Sequence, residues 1–365
     1  MAAWIIQALK DSHRLALACW DPPDFAAVNR AYGTTISDED VTVVAVSPMW
    51  RSVARLLPVS AALLRWSAVV RLARRLAPGF DVVVSAENEA NLGRDIIQYV
   101  HYPRQLRPRP AADLRWYHRP RFVLAGYYAL CDRLTGFSLD GVRRNRTLAN
   151  SAWTADRIRE LDGHVAVAVL PPPVAAAPEG LPWERRDNAF LCLGRFAAEK
   201  EIEKVVAIIE GVRALAPDVE LHLIGGRGPE RSYYEGIKAL ARQHEWLHLH
   251  ENLTRAALLE LIGRTRYGIH GMRDEHFGMA AAEMVEGGCI TFVPDSGGQV
   301  EIVGGDARLV YASPDEAVAK IGAVLANAQL QDGLRAMLRQ RQGAFSVDRF
   351  MAVIRDTVDS RPHRP

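Results

Sequence analysis

The chain has few cysteines, no long uninterrupted hydrophobic run and no internal repeat. Its four cysteines in 365 residues show neither the paired spacing of a metal site nor the density of a disulfide-rich domain. The longest apolar stretch, 56–70, is interrupted by Pro58 and Arg65, so it is too short for a membrane-spanning helix. These absences argue against a disulfide scaffold, a zinc module and a membrane-embedded bundle. They favour a reducing, cytoplasmic location.

The chain also has almost no net charge, +2, but the charge is unevenly distributed. Residues 1–172 hold 22 Lys and Arg against 16 Asp and Glu, whereas residues 173–365 hold 23 against 27. The basic excess concentrates in 41–80, with six Arg and no acid, and in 104–121, with six Arg and one Asp. Such patches suit a phosphate group or an anionic surface, and we predict peripheral association with a membrane. The alternative is a solvated Arg-rich face. We expect no nucleic-acid partner.

Helical and strand patterns alternate along the chain, which predicts an α/β protein of two domains. The three prolines at 171–173 mark a stiff linker, because proline continues neither a helix nor an interior strand. We predict domains at 1–172 and 173–345. A helix at about 346–360 follows the second domain and is a candidate for packing back onto the first. In the first half the pattern predicts strands at 13–19, 40–46, 80–85, 96–101 and 146–149 and helices at 59–77, 111–134 and 151–161.

The second half repeats a strand–helix unit, which predicts a doubly wound parallel sheet. The predicted strands are 189–193, 219–224, 247–250, 266–270, 289–293 and 308–311, and the predicted helices are 199–214, 229–243, 254–264, 277–287, 298–304 and a helical region from 314 to about 357. Ligands of such sheets bind beyond the carboxyl ends of the strands, so the loops there are where a site is expected.

The first of these loops is Gly194-Arg195-Phe196-Ala197-Ala198-Glu199-Lys200. Gly194 allows a sharp turn, and Arg195 and Lys200 flank the start of the next helix. Cations at a helix N-terminus oppose the helix dipole unless an anion such as a diphosphate lies between them. The alternative is that both are surface cations paired with nearby glutamates.

The second loop runs from His270 through Glu275, Phe277, Gly278 and Met279 to Glu283 on the following helix. The helix opened by Phe277-Gly278-Met279 offers free amides to phosphate oxygens. Glu283 is placed to accept hydrogen bonds from sugar hydroxyls. Glu275 would repel a diphosphate unless a hexose lay between them. The alternative for this spacing is a capping acid and a solvated helix Glu.

The third loop is Asp295-Ser296-Gly297-Gly298, followed by Gln299-Val300-Glu301. The pair Gly297-Gly298 permits close approach of the backbone to a ligand. Glu301 is expected in the first turn of its helix, where the dipole favours an acid.

In this order, the three loops resemble the donor half of the family 4 glycosyltransferases. The resemblance covers about 188–304 closely and extends weakly to 150–154 and 170–173. Within the family, 273–278 and 98–103 are most similar to mannosyltransferases that extend lipid-linked oligosaccharides. The resemblance implies the GT-B fold, in which two Rossmann-like domains face each other across a cleft, the N-terminal one binding the acceptor and the C-terminal one the donor.

The resemblance also implies roles for single residues. Arg195 and Lys200 would hold the donor diphosphate and stabilise the leaving group, Glu283 would bind the nucleotide ribose, and Glu275 would contact the donor sugar. The donor would be a GDP- or UDP-linked hexose of mannose or glucose type, and the acceptor a glycan or lipid-linked glycan. Neither a metal nor a bound cofactor is expected, and the product would retain the donor's anomeric configuration.

Three histidines lie in or near the predicted site, and the role of His101 remains open. His101 ends a predicted strand of the first domain, where it would face the cleft and touch the sugar, or serve only as a structural residue. His270 and His276 are interpreted as packing or loop residues.

Two other functions compete with transfer. One is a nucleotide-sugar hydrolase or epimerase on the same architecture, and the other is a catalytically impaired binding subunit of a transferase complex. The motifs Arg195/Lys200 and Glu275/Glu283 favour transfer.

The N-terminal domain differs from the family pattern, which opens with a buried strand and a glycine-rich turn. Here the helical pattern of residues 2–9 comes first. We therefore expect either a start upstream of Met1 or an incomplete acceptor domain, and favour the upstream start.

Overall fold

The computed structural model describes most of the chain: residues 1–55, 62–103, 121–163, 166–228 and 230–360. The strands are β1 (Leu15–Cys19), β2 (Val41–Ala45), β3 (Val84–Ser85), β4 (Ile97–Val100), β5 (Arg146–Ala149), β6 (Val167–Val169), β7 (Asp187–Leu193), β8 (Glu220–Gly225), β9 (Leu247–Glu251), β10 (Thr265–Ile269), β11 (Ile290–Pro294) and β12 (Val310–Tyr311). The helices are α1 (Ala2–Leu9), α2 (Phe25–Tyr32), α3 (Pro48–Arg55), α4 (Ala62–Leu76), α5 (Arg121–Thr135), α6 (Leu139–Arg143), α7 (Ala152–Asp162), α8 (Ile202–Arg213), α9 (Arg231–Gln243), α10 (Arg255–Arg264), α11 (Met279–Glu286), α12 (Gln299–Ile302), α13 (Pro314–Leu325), α14 (Ala328–Gln342) and α15 (Val347–Asp359).

These elements form two compact units. The first contains the described residues of Met1–Asn150, Thr154–Leu170 and Asp348–Pro365, and the second contains Ser151–Trp153 and Pro171–Val347. The chain therefore passes into the second unit at the start of the proline triplet, and most of α15 belongs to the first unit.

The first unit contains two parallel sheets. One has the order β3-β4-β5-β6, and the other consists of β1 and β2 alone. Tyr99 on β4 is fully buried, and its hydroxyl donates to the carbonyl of Leu170 at 2.7 Å. Among the described residues no strand pairs with the second edge of β1 or of β3.

The second unit contains one six-stranded parallel sheet with the order β12-β11-β10-β7-β8-β9. The chain starts at β7, builds β8 and β9 on one side, and then places β10 on the other. The strand order therefore reverses between β7 and β10, which makes the loops after these two strands the expected ligand site.

Side-chain caps determine where several helices of the second unit begin. Thr254 accepts a bond from the amide of Ala257 at the start of α10, and Ser313 and Asn327 do the same for α13 and α14. Pro314 follows Ser313 at the first helical position, where its missing N–H costs nothing.

The core of the second unit lies between the sheet and helices on one face. Phe190 stacks on Tyr267 with ring centroids 5.0 Å apart, and both are buried among Val and Ile side chains of α8 and α13. A smaller cluster on the opposite face joins Leu193 and Ile224 of the sheet to Ile262 of α10 and Met284 of α11. Alternate residues of β7 and β8 point to opposite faces, as the strand period requires.

Several predicted boundaries were wrong. The strand predicted at 80–85 is only Val84–Ser85, and the helix predicted at 199–214 begins at Ile202 after a 3-10 turn at Ala198–Lys200. The helix predicted at 298–304 is the single turn Gln299–Ile302, because Gly304 and Gly305 both adopt a left-handed conformation. Parts of the helices predicted at 59–77 and 111–134 lie outside the described residues; α4 and α5 cover the rest.

Within the described ranges, no helix combines the length and apolar character needed to cross a bilayer.

Three histidines form a cluster on the β8–β9 edge of the second sheet. His222 on β8 lies opposite His248 on β9, with ring centroids 4.9 Å apart, and its Nδ1 is 3.0 Å from Nε2 of His250. Burial and the two neighbouring imidazoles lower the pKa of His222 to about 4, and burial also lowers the pKa of His250. His222 and His250 are therefore neutral at pH 7.

We predict that this cluster destabilises the protein in mild acid. The unfolded His222 protonates near pH 6.5 and the folded one only near pH 4, so stability is lost as pH falls between these values. Because the ring is partly exposed, we expect a loss of about 1–2 kcal/mol rather than the full shift. Urea unfolding at pH 7.5 and pH 5 should show a smaller loss for His222→Gln than for the unmodified protein or for His244→Gln. Equal losses in all three would assign the acid sensitivity to other groups.

Candidate functional site

Three loops converge at the carboxyl edge of the second sheet, after β7, β10 and β11. These are the three loops that the sequence analysis identified. The loop after β10 pairs with the loop after β11 through Glu275 and Gly297, and the amide of Gly298 donates to the carbonyl of Glu275 at 2.8 Å. The loops after β7 and β10 are neighbours because their strands are adjacent in the sheet.

Lys200, Glu275 and His270 form a tight cluster where these loops meet. Nζ of Lys200 lies 2.6 Å from Oε2 of Glu275, and Nε2 of His270 lies 3.2 Å from the same oxygen. The side chains are 17%, 18% and 2% exposed, respectively. His270 Nδ1 is buried without a hydrogen-bond partner, so the tautomer that fits protonates Nε2 and donates to Glu275.

The cluster keeps Glu275 ionised. Burial alone would raise the pKa of Glu275, but the hydrogen bond from His270 and the charge of Lys200 outweigh burial and hold it well below the usual range. The neighbouring thiol is different, because burial raises the pKa of Cys192 to about 12. The site therefore offers a fixed carboxylate and no thiolate nucleophile at that position.

Glycines at two positions make this arrangement possible. Gly297 has φ +85°, and a Cβ there would lie 2.4 Å from the carbonyl oxygen of Glu275. Gly278 has φ +99° at the start of α11, and a Cβ there would lie 2.9 Å from Cβ of Gln299. Any larger residue would push the loops apart, so these glycines set the position of Glu275 and of the helix start.

The start of α11 has no side-chain cap. Gly278 occupies the N-cap position and supplies no hydrogen-bonding side chain. Phe277 anchors the turn by packing on Phe345, with ring centroids 5.5 Å apart, while Met279 is 41% exposed. Because the first amides of a helix need external partners, this end of α11 suits an anion.

The start of α8 differs from the sequence-based interpretation. We expected helix amides there to share a phosphate with Arg195 and Lys200. Instead the amide of Ile202 donates to the hydroxyl of Tyr233 at 3.3 Å, which in turn donates to Glu203 at 2.5 Å. Of the two helix starts, α11 is the better anion site.

Arg195 has a looser environment than Lys200. Its side chain is 66% exposed and pairs with Glu199 at 3.2 Å, one turn along the chain. This is the surface pairing that the sequence analysis kept as the alternative for both cations. It applies to Arg195 alone, because Lys200 is largely buried against Glu275.

Glu283 lies in the second turn of α11 and pairs with Arg255 at the start of α10. Nη1 of Arg255 is 2.6 Å from Oε1 of Glu283, and the side chains are 32% and 22% exposed. Sequence reasoning missed Arg255, because it stands in no recognisable motif and 28 residues separate it from Glu283.

The carboxylate of Glu301 accepts two backbone hydrogen bonds from residues outside its own helix. Glu301 stands in the first turn of α12 as expected, and its two carboxylate oxygens accept from the amides of Ala152 and Trp153, at 3.0 and 2.9 Å. The ring of Trp153 stacks on His276 with centroids 6.0 Å apart. His276 is thus a packing residue, as predicted, whereas the interpretation of His270 as a packing or loop residue missed its bond to Glu275.

His101 lies in the first unit, directly after β4. Its Nε2 is 3.2 Å from the carbonyl oxygen of Ala86, and its amide donates to the side chain of Asn88 at 2.9 Å. Burial lowers the pKa of His101, so the ring is neutral at pH 7. Glu275 belongs to the second unit, and a catalytic role for His101 stays a prediction.

Among the described residues, no group of three or more His, Cys, Asp or Glu side chains is placed to hold a metal ion.

Residues 175–341 match the family model for glycosyl transferases group 1. In this part the chain is similar to glycosyltransferase group 1 domains, and the matched range contains the Lys200, Glu275 and Glu283 positions described above. The match confirms the resemblance that the three loops predicted.

A relative of known name supports the same family. GDP-Man:Man(3)GlcNAc(2)-PP-Dol alpha-1,2-mannosyltransferase of Neurospora crassa is 30% identical over 206 residues, which cover 47% of this chain and 36% of that protein. The chain thus matches only about a third of this relative's length.

Solved structures share the fold over nearly the whole chain. Sucrose-phosphate synthase from Thermosynechococcus elongatus superposes with a TM-score of 0.69 at 15% identity, covering 97% of this chain and 91% of that one. Anabaena Alr3699/HepE in complex with UDP-glucose gives 0.62 at 15% identity, covering 98% and 94%. The fold is GT-B, as the sequence predicted.

Proposed function

We propose that the chain is a retaining glycosyltransferase that moves a hexose from a nucleotide-diphosphate sugar to a glycan or lipid-linked acceptor. The observation that carries this proposal is the cluster of Lys200, Glu275 and His270 in the same group of loops as the uncapped start of α11, within the range that is similar to glycosyltransferase group 1 domains.

The donor diphosphate would bind at the start of α11. The free amides after Gly278 and the positive end of the helix dipole attract its oxygens. Lys200 supplies a largely buried charge, and Arg195 an exposed one that must leave Glu199 to reach the ligand. These groups stabilise the diphosphate as it leaves with the electron pair of the glycosidic bond, without help from a metal ion.

Glu275 would lie beside the donor hexose. The bond from the anomeric carbon to the diphosphate breaks, and the acceptor hydroxyl oxygen bonds to that carbon on the same face. The acceptor's proton passes to the departing phosphate oxygen. A fixed, ionised carboxylate favours the positive charge that develops on the sugar ring during this step. Lys200 and His270 hold the carboxylate in place before the reaction begins.

The donor is of mannose or glucose type, with GDP or UDP as the leaving group. Two comparisons support this range: the name of the Neurospora relative includes GDP-Man, and the Anabaena structure contains UDP-glucose. The name of the same relative includes a PP-Dol glycan, which supports a lipid-linked acceptor.

Incubation with radiolabelled GDP-mannose and UDP-glucose, with and without a lipid-linked glycan, tests this proposal. We expect acceptor-dependent labelled product with one donor, unchanged rates in EDTA, and retained anomeric configuration by NMR. Free sugar as the only product would indicate a hydrolase, an isomerised donor an epimerase, and binding without turnover an impaired subunit. Each of these three results would overturn transfer, and an inverted product would overturn retention.

We also propose that the first unit binds an anionic membrane surface peripherally. α4 contains four Arg and no acidic residue. It packs against α5, and the backbone amide of Leu64 on α4 donates to the hydroxyl of Tyr127 on α5. Large apolar side chains are exposed on α3 and α5, with Trp50 48% exposed and Phe122 81% exposed. The segment 104–120, including Trp116 and Tyr117, lies outside the described residues.

Liposome flotation measures this association. We expect recovery with vesicles containing anionic lipid and not with neutral ones, because Arg-rich surfaces with exposed aromatic residues suit charged headgroups. Phe122→Ser and Trp50→Ser together should reduce recovery, whereas Leu215→Ser, an exposed apolar residue of the second unit, should not. Equal recovery with both vesicle types, or no recovery with either, would refute binding to anionic membranes. The Arg-rich surface would then be a solvated face.

A further inference from the structure

We infer that Arg255 is a positioning residue that orients Glu283 toward the ribose of the bound nucleotide and thereby sets the preference for ribose over deoxyribose. This inference rests on the proposed function, because it requires a nucleotide at the start of α11.

The position of Arg255 is unfavourable within its own helix. Arg255 is the first residue of α10, whose N-cap is Thr254. A cation in the first turn of a helix opposes the positive end of the helix dipole. Pairing with Glu283 at 2.6 Å offsets this cost, so the contact between the two helices explains the position of the arginine.

The pair lies at the same edge of the sheet as the rest of the site. α10 begins after the carboxyl end of β9, and α11 after that of β10. Both helices pack on one face of the sheet, where Ile262 of α10 and Met284 of α11 share a hydrophobic cluster with Leu193 and Ile224. This packing fixes the distance between the two helix starts and therefore the geometry of the Arg255–Glu283 pair.

The charges of the site are matched in two pairs. Glu275 is paired with Lys200, and Glu283 with Arg255. An unpaired carboxylate close to a diphosphate would weaken nucleotide binding by repulsion. Arg255 offsets this repulsion at Glu283, and the carboxylate oxygen that Arg255 does not contact can still accept hydrogen bonds from hydroxyl groups.

The hydrogen-bond geometry gives the pair its specificity. A carboxylate accepts about four hydrogen bonds, two at each oxygen. Arg255 engages Oε1 of Glu283, which leaves Oε2 to accept from the ribose hydroxyls. Without the arginine the carboxylate rotates freely, and the nucleotide loses the contact that distinguishes a ribose from a deoxyribose.

Calorimetric titration of Arg255→Gln with GDP and UDP and with their 2′-deoxy and 3′-deoxy forms tests this inference. For whichever base the unmodified protein binds, we expect the ribose form to bind about tenfold tighter than a deoxy form. Arg255→Gln should weaken the ribose form about five- to tenfold more than the deoxy form, because the deoxy form loses only the charge compensation at Glu283. Arg255→Lys should recover part of the preference. The matched control is Arg264→Gln, which removes the other arginine of α10, paired with Asp187, and should keep the preference intact.

A double variant separates positioning from a general effect on stability. In a Glu283→Gln background, Arg255→Gln should have no further effect on ribose preference. An Arg255→Gln protein that keeps the full preference overturns the inference, and so does equal weakening of ribose and deoxyribose forms. Failure of the unmodified protein to bind any nucleotide would instead contradict the proposed function.

Discussion

Glu275→Gln is expected to reduce turnover by on the order of a hundredfold or more while nucleoside-diphosphate affinity stays close to that of the unmodified protein. The substitution keeps the size of the side chain and removes its charge. The charge matters for the sugar as it becomes positive, whereas the diphosphate is held by Lys200 and the amides of α11. Turnover with the active donor sugar and calorimetry with the nucleoside diphosphate measure the two effects separately.

Glu283→Ala provides the contrast for this prediction. It should weaken nucleotide binding, because Glu283 faces the ribose in the proposed complex. The opposite result, with Glu275→Gln losing affinity and Glu283→Ala losing only turnover, would show that the sugar and ribose sides are exchanged. Full activity of Glu275→Gln would refute its role at the reacting carbon.

Folding of the Glu275 variant needs its own control. The substitution leaves Lys200 without its carboxylate partner in a largely buried position, and a charge left this way destabilises a protein. Thermal unfolding of Glu275→Gln and of Lys200→Met/Glu275→Gln distinguishes the two effects. The double variant should regain stability and not activity, since both partners of the pair are then neutral.

The second unit follows the sequence pattern closely because its strands are buried on both faces. A strand such as β7, with Phe190 and Leu191 pointing to opposite clusters, must be apolar throughout and is easy to recognise. The glycines at 278 and 297 are also recognisable from the sequence, because the backbone conformations and close contacts at these positions favour glycine. Helix and strand ends were less predictable, as the short α12 shows.

The N-terminal part of the first unit was harder to predict, because its strands β1, β2 and β3 are short and partly exposed. β1 and β2 have mainly intermediate burial, and β3 contains only two residues. Such segments lack both the alternation of a surface strand and the apolar run of a buried one. Sequence reasoning therefore placed these strands approximately and did not predict β6 or the short helices α2, α3 and α6.

The contacts between side chains were the least predictable part of the site. The residue types around Glu275 were identified, but the loops meet only through sheet topology, and no sequence spacing brings Lys200 within 2.6 Å of a residue 75 positions later. His270 and Arg255 were missed for the same reason. Each contacts a glutamate of the site only in the folded structure, and no local sequence motif identifies it as a residue of the site.

Lys200→Ala is expected to weaken nucleoside-diphosphate binding by about 1.5–3 kcal/mol, or roughly ten- to a hundredfold, and to reduce turnover as well. The lysine carries the largely buried positive charge nearest Glu275, and a charge-assisted bond to phosphate is stronger there than at the surface. Arg195→Ala should also weaken binding, but by less, because its side chain is 66% exposed and already paired with Glu199.

Lys204→Ala is the matched control for both variants. Lys204 lies in the first turn of α8 and pairs with Glu201, so its removal deletes a nearby cation without touching Glu275. Calorimetry with the nucleoside diphosphate should give unchanged affinity for Lys204→Ala, a moderate loss for Arg195→Ala and the largest loss for Lys200→Ala. Unchanged affinity in both Arg195→Ala and Lys200→Ala would refute the phosphate role. Lys200 would then serve only to hold Glu275, and the helix start of α11 would have to bind the diphosphate without either cation.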